Sequence, residues 1–279
     1  MDNTATIASL EGLGFPEALR WRKDELWFSD MFRGTVISWN PKGSSAVRLS
    51  QSQGGPEMPG GLGWTTEGDL LVVDCLEKKV LMLDHQGRVS TYADLSDLTD
   101  YPLNDMHIDL DGTAWVGGYG FDPDNQAPVS SPIFRISPSG EITVSESRFV
   151  FPNGCERQGS TIAVAETFAD RVSFFDDQMR VTKSYKCPEG SGPDGLSFGP
   201  DGLLFVASAF TGEINCFSED GSRKLFYKLE TSQGDEGGAK GVFDCAVHPT
   251  ENQIAFSSAC LDEGYAKDNN TGRITLVSL

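Results

Sequence analysis

One short phrase returns six times along the chain, and it limits the possible fold more than any other feature. Each copy has an alternating apolar strand, a tight glycine turn, and a second apolar strand that ends in a small or acidic residue. The copies start with PEALRW at Pro16, PGGLGW at Pro59, LNDMHI at Leu103, PNGCER at Pro152, PDGLSF at Pro193 and FDCAVH at Phe243. Aligned, they put Glu17, Gly60, Asn104, Asn153, Asp194 and Asp244 in one column, at intervals of 41 to 50 residues. A period of about 40 to 50 residues built from short strands is the signature of a β-propeller. The expectation is an all-β, six-bladed β-propeller with four antiparallel strands per blade, the first lining a central channel. The column then forms a ring at one mouth of that channel, and five of its six members carry a side-chain oxygen.

The third repeat shows the pattern within a blade. MHIDL from Met106 is the inner strand, Asp111-Gly112 the hairpin turn, TAWVGGY the second strand, PIFRISP the third, and EITVSE the fourth. Asp-Gly between alternating apolar runs is a strong hairpin signal, and Glu67-Gly68, Gln86-Gly87, Asp201-Gly202 and Asp220-Gly221 repeat it. Capped helical periodicity is scarce. The last blade runs out after its third strand, GRITLVSL (272–279), so TATIASL (4–10) is expected to supply the missing outer strand and close the ring. Chain direction returns each second strand to the face where the column lies. Two long loops at that point, 119–131 and 260–271, are expected to overhang the ring, and Tyr119, Phe121, Phe168 and Phe210 to face the same mouth.

At 279 residues, with 38% hydrophobic content and no linker or charge block, the chain reads as one domain spanning 1–279. The segment MDNTATIASL lacks the basic and apolar parts of a signal peptide, and no apolar run nears the length of a membrane helix. A soluble, cytoplasmic protein is expected. A formal charge of −19 argues against nucleic acid, which needs clustered Lys and Arg, and draws cations to the channel. None of the six cysteines forms a C-x-x-C pair and only three histidines are present, so buried reduced thiols are expected rather than zinc or disulfides. An Asn or Asp at a strand start is ordinarily a turn or backbone cap, which accounts less well for five members of one column. Oxygen ligands without sulfur or imidazole suit a hard divalent cation such as calcium or magnesium.

The segments NDMHIDLDGTAWVGGYGFD (104–122), PNGCERQGSTIAVAETFADRVSFFD (152–176) and PDGLSFGPDGLLFVASAFTGEI (193–214) resemble the core repeats of the senescence marker protein and gluconolactonase family. FPEALRW near the start and TGRITLV near the end fit as well. The resemblance implies a divalent metal, usually calcium, held by Glu17, Asn153 and Asp194. Asn104 corresponds to an Asn that contacts metal, water or substrate, and Asp105 completes the family's Asn-Asp pair. Zinc, manganese or magnesium are alternative occupants. Sugar lactonases of this kind carry an Arg two residues before that Asn, and this chain has Pro102. Without the guanidinium's fork of donors, a less polar lactone is expected, bound by Asn104, Tyr119, Phe121, Phe168 and Phe210.

The expected activity is metal-dependent hydrolysis of a cyclic ester, with the carbonyl polarised by the metal, Asp194 as general base and Asp105 as a second catalytic candidate. Two alternatives stay open. The series Glu17, Asn104, Asn153, Asp194 also matches the calcium ring of diisopropyl fluorophosphatase, which cleaves phosphorus esters. A propeller can equally serve as a metal-stabilised binding platform without turnover. Which lactone or ester is used, and the oligomeric state, are open at this level.

Overall fold

A computed structural model describes residues 5–230 and 238–279. Six four-stranded antiparallel sheets radiate from a central axis, as the period predicts. The inner strands are Pro16–Arg22, Pro59–Trp64, Leu103–Ile108, Pro152–Gln158, Pro193–Phe198 and Lys240–Val247, each beside the next around the ring. The turn glycines do what their sequence positions require. Gly68, Gly87, Gly112, Gly202 and Gly221 all have φ between +78° and +91°, a region open to glycine and costly for residues with a Cβ.

The blades cohere through the apolar faces of neighbouring sheets. Leu71, Val73, Leu103, Met106, Val116 and Phe134 fill the space between the second and third blades. Leu19, Phe28, Ile274 and Leu276 do the same between the first and last. All six cysteines are free thiols and all but Cys216 are buried, so they pack as small apolar residues. The acids at two second-strand ends are structural pins. Asp30 accepts the amides of Gly14 and Phe15, and Glu166 accepts that of Val150, each fixing the chain just ahead of an inner strand.

Closure follows expectation. Thr6–Leu13 pairs antiparallel with Gly272–Ser278 and fills the outer place of the last blade; Thr4, the first residue of the predicted strand, lies outside the described residues. The loop 119–131 contributes Ser130–Ser131 to a small two-stranded sheet with Phe149–Val150. The loop 260–271 departs from its reading as irregular chain, because it holds a helix, Glu263–Asn269. The signals are local: the Asp262 side chain accepts the Tyr265 amide at the start, and Asn270 takes the left-handed conformation at the end.

Candidate active site at the column mouth

Every inner strand breaks its pairing register at the same height. The shifts fall at Glu17/Arg20, Pro59/Leu62, Leu103/Met106, Pro152/Cys155, Pro193/Leu196 and Val242/Cys245. A bulge adds an unpaired residue and re-aims side chains, so the column sits on six aligned bulges. Where neighbouring strands crowd together, glycine is required. A Cβ on Gly60 would lie 2.4 Å from the Asn104 carbonyl oxygen and 2.6 Å from Cys75 Sγ. The gap in the ring of oxygens is therefore a steric necessity, one that also leaves the Gly60 carbonyl accepting the Ser29 hydroxyl at 2.6 Å.

The sixth repeat is displaced by one residue from its sequence alignment: the shift between Val242 and Cys245 gives Asp244 the place that Asp105 and Gly195 hold, and sets Phe243 level with Asn104, Asn153 and Asp194. The acids of the mouth divide into two groups. Asp244 is fully engaged: Oδ2 accepts the Leu19 amide at 2.5 Å, Oδ1 accepts the Cys245 amide at 2.7 Å, and the Arg20 guanidinium stands 3.5 Å away. Glu17 and Asp194 have less relief, from the Ala18 backbone and the Asn153 amide respectively, and no guanidinium. Burial, then the charges of Asp194, Asp244 and Asp105, push the Glu17 carboxyl well above the ordinary carboxylate range. Burial, then Asp244 and Asp105, raise Asp194 likewise, against an opposing hydrogen bond from the Asn153 amide. Asp194 Oδ1 is buried without a hydrogen-bond partner, although a buried polar atom of this kind normally finds one. Among the described residues no Lys, Arg or His pairs with either carboxyl. Asn153 donates from Nδ2 to the Thr167 hydroxyl at 3.3 Å, which orients its amide, and Asn104 is buried beside the same ring.

This donor set fits a hard divalent cation. Two mutually repelling carboxyls and an orphaned oxygen are what an added positive charge would relieve, and amide oxygens complete calcium sites in general. Among the described residues no three His, Cys, Asp or Glu side chains form a metal centre by themselves. A cation here would therefore depend on the amides of Asn104 and Asn153 alongside Glu17 and Asp194.

Asp105 does not stand where a second base would. The bulge turns it onto Arg20, whose Nη2 is 2.9 Å from both of its oxygens, while Oδ1 also accepts the Met106 amide. These three bonds give Asp105 a structural task, holding Arg20 and the bulge, whatever part it takes in catalysis. Arg20 itself escaped the sequence reading. The signal was available, since a charged residue within an inner strand of a closed ring needs a buried partner.

An aromatic wall rises from the second-strand ends on one side of the mouth. Tyr119 packs on Phe151 at 4.5 Å, Phe151 on Phe168 at 5.2 Å, and Phe168 on Phe210 at 5.8 Å. Phe168 and Phe210 remain 36% and 44% exposed. Phe121 is fully buried behind Phe168, because Gly120 at φ +74° turns the chain inward; it supports the wall and cannot touch a ligand. Burial first, then the charges of Cys75, Glu263, Glu17 and Asp194, push the pKa of the Tyr119 hydroxyl up. Phe151 was missed in the sequence because it precedes the column instead of following a second strand.

The comparisons with known proteins follow this geometry. Residues 15–233 match the SMP-30/Gluconolactonase/LRE-like region, and the chain belongs to that family. A calcium-binding regucalcin from Agrobacterium tumefaciens superposes with a TM-score of 0.76 at 16% identity, covering 99% of this chain and 94% of that one. A luciferin-regenerating enzyme gives 0.76 at 16% identity over 97% and 93%. A gluconolactonase from Xanthomonas campestris gives 0.71 at 16% identity over 97% and 89%. At such identities the likeness establishes the propeller fold. No curated protein sequence matches the chain significantly.

Proposed function

We propose that the protein is a divalent-cation-dependent hydrolase that opens a lactone or related ester of low polarity at the column mouth. The observation that carries this reading is the orphaned, buried Oδ1 of Asp194 near Glu17, two carboxyls with no cationic side chain paired to them among the described residues. Family membership supports ester chemistry, and the regucalcin neighbour supports calcium as the ion.

When bound, the cation supplies Lewis-acid polarisation of the ester carbonyl. Glu17, Asn153 and Asp194 would hold it, with Asn104 completing the set. Asp194 takes the proton of the incoming water at a carboxylate oxygen, since it is the ring's acid with spare acceptor capacity. Asn153 is steadied for its task by Thr167. Phe168, Phe210 and Tyr119 receive the apolar part of the substrate and exclude water from it. Pro102 contributes no donor to a sugar hydroxyl; its carbonyl instead accepts the Tyr119 amide at 2.9 Å and so positions the aromatic wall.

The deciding experiment is a panel of alkyl lactones, sugar lactones, aryl esters and organophosphates, assayed with calcium and after chelation. Calcium-dependent turnover of alkyl lactones above sugar lactones is expected. Preferential turnover of organophosphates would move the site to phosphorus chemistry, and calcium binding with no turnover at all would leave a binding propeller.

A further inference from the structure

Four carboxylates meet in the channel, and one cationic side chain serves two of them. Glu17 lies within electrostatic reach of Asp194, Asp244 and Asp105. Arg20 projects between Asp105 and Asp244, giving Nη2 to both Asp105 oxygens and the Met106 carbonyl, and Nη1 to the Leu19 carbonyl near Asp244. Its side chain is only 20% exposed, and its planar fork meets acceptors on two sides, an arrangement an ammonium cannot copy. Burial opposes its charge, but Asp105 and Asp244 more than offset that and hold it protonated.

We propose that Arg20 is a built-in cation that occupies the lower of two cation positions in the channel, so that the protein takes up a single exchangeable divalent ion. The inference rests on the cation reading of Glu17 and Asp194 and goes beyond it. The guanidinium holds both Asp105 oxygens and stands 3.5 Å from Asp244, whose oxygens also accept the Leu19 and Cys245 amides. Without it, two buried carboxylates would face one gap uncompensated, a state that costs several kcal/mol unless a charge enters. A calcium ion accepts carboxylate and carbonyl oxygens, and Asp105, Asp244 and the carbonyls of Leu19 and Met106 surround that gap. Arg20 is thus a positioning residue. It keeps the lower pair occupied and directs an incoming ion to the upper pair.

The test is ion stoichiometry on the full chain, measured by calcorimetric titration with calcium and by terbium luminescence. The parent and Arg20→Lys are expected to bind one ion, and Arg20→Gln two. Arg20→Gln binding one ion, like its parent, overturns the inference and leaves the reading of the upper site standing. A parent that binds none while Arg20→Gln binds one overturns the upper site and supports the lower. No binding by either overturns both. If Arg20→Gln unfolds without metal, recovery of its near-UV circular dichroism in millimolar calcium supports the proposal, and failure to recover overturns it.

Discussion

The two ends of the channel differ in how completely their charges are satisfied. The far mouth opens into a chamber of about 420 Å³ whose walls include Trp21, Trp64, His107, Asp109, Glu156 and Ser197. Its acids are all occupied. Asp109 accepts from Arg157 at 2.6 and 2.8 Å, from the Trp115 indole at 2.8 Å, and lies 3.2 Å from His107. Glu156 accepts the Phe198 amide at 2.7 Å. At the column mouth, burial and neighbouring carboxylates raise both Glu17 and Asp194, and Asp194 Oδ1 has no hydrogen-bond partner. The chamber's acids have hydrogen-bond partners, although burial still raises Glu156, whereas Asp194 Oδ1 in the ring has none. Unsatisfied charge, more than volume, marks where a ligand has work to do.

The contrast is tested first by removing the charge at the unsatisfied end. Asp194→Asn keeps an oxygen and the shape of the ring but loses the base. It is expected to lower kcat/KM at saturating calcium by roughly a thousandfold, within the span of general-base effects. Calorimetry should show calcium affinity falling by less than this. Equal activity of variant and parent would exclude Asp194 from proton transfer.

Adding calcium to the chelated protein should come next in size. Binding to the folded state alone contributes about 2.7 kcal/mol at a hundred times Kd, which for a chain of this size is a rise in Tm of roughly 5 to 10 °C. Glu17→Gln should abolish most of the rise. An unchanged melting curve would break the contrast between the two ends.

At the satisfied end the same kind of change should act on stability alone. Asp109→Asn gives up charge-assisted bonds to Arg157 and is expected to cost about 2 kcal/mol at neutral pH, with calcium affinity untouched. Burial raises the Asp109 pKa, but the bonds from His107, Arg157 and Trp115 overcome this and hold it well below the ordinary range. The sign follows from that depression. The contribution is complete above the unfolded carboxylate value, near 3.9, and fades as pH falls below it. Melting curves of variant and parent should stay apart above about pH 5 and converge in more acidic solution.

The smallest effect is expected at the wall. Phe210→Ala removes a half-exposed ring that contacts Phe168, and should raise KM for long-chain lactones by roughly tenfold, about 1.4 kcal/mol, with less change for short ones. A variant that keeps the parent's chain-length profile would reduce these aromatics to packing.

Much of this was legible in the sequence because repetition amplifies weak signals. One Asn or Asp before a strand says little, whereas a column of them at a fixed period locates a ring, and the glycine turns set the blades. The bulges were not legible. Simple alternation sends Asn104 and Asp105 to opposite faces, yet the register shift between Leu103 and Met106 brings both into the channel. For the same reason the pairing of Asp105 with Arg20 could not be read from residues 85 positions apart. Phe121 was placed at the mouth from its position just beyond a second strand, a position that does not foretell its burial behind Phe168 after the turn at Gly120. The helix Glu263–Asn269 is too short to show an apolar period, and only its caps announce it.

The clasp between Thr6–Leu13 and Gly272–Ser278 has a consequence for the birth of the protein. Glu17 belongs to the first blade and Asp194 to the fifth, and the last blade stands between them. Synthesis runs from the N-terminus, so Gly272–Ser278 emerges after all six inner strands, and its long-range pairing with Thr6–Leu13 must wait until then. Until then the ring is an open arc, and the two carboxyls on either side of the last blade have no fixed separation. An ion site built on Glu17 and Asp194 would thus arrive with the strand Gly272–Ser278, well after the residues that form it have been made.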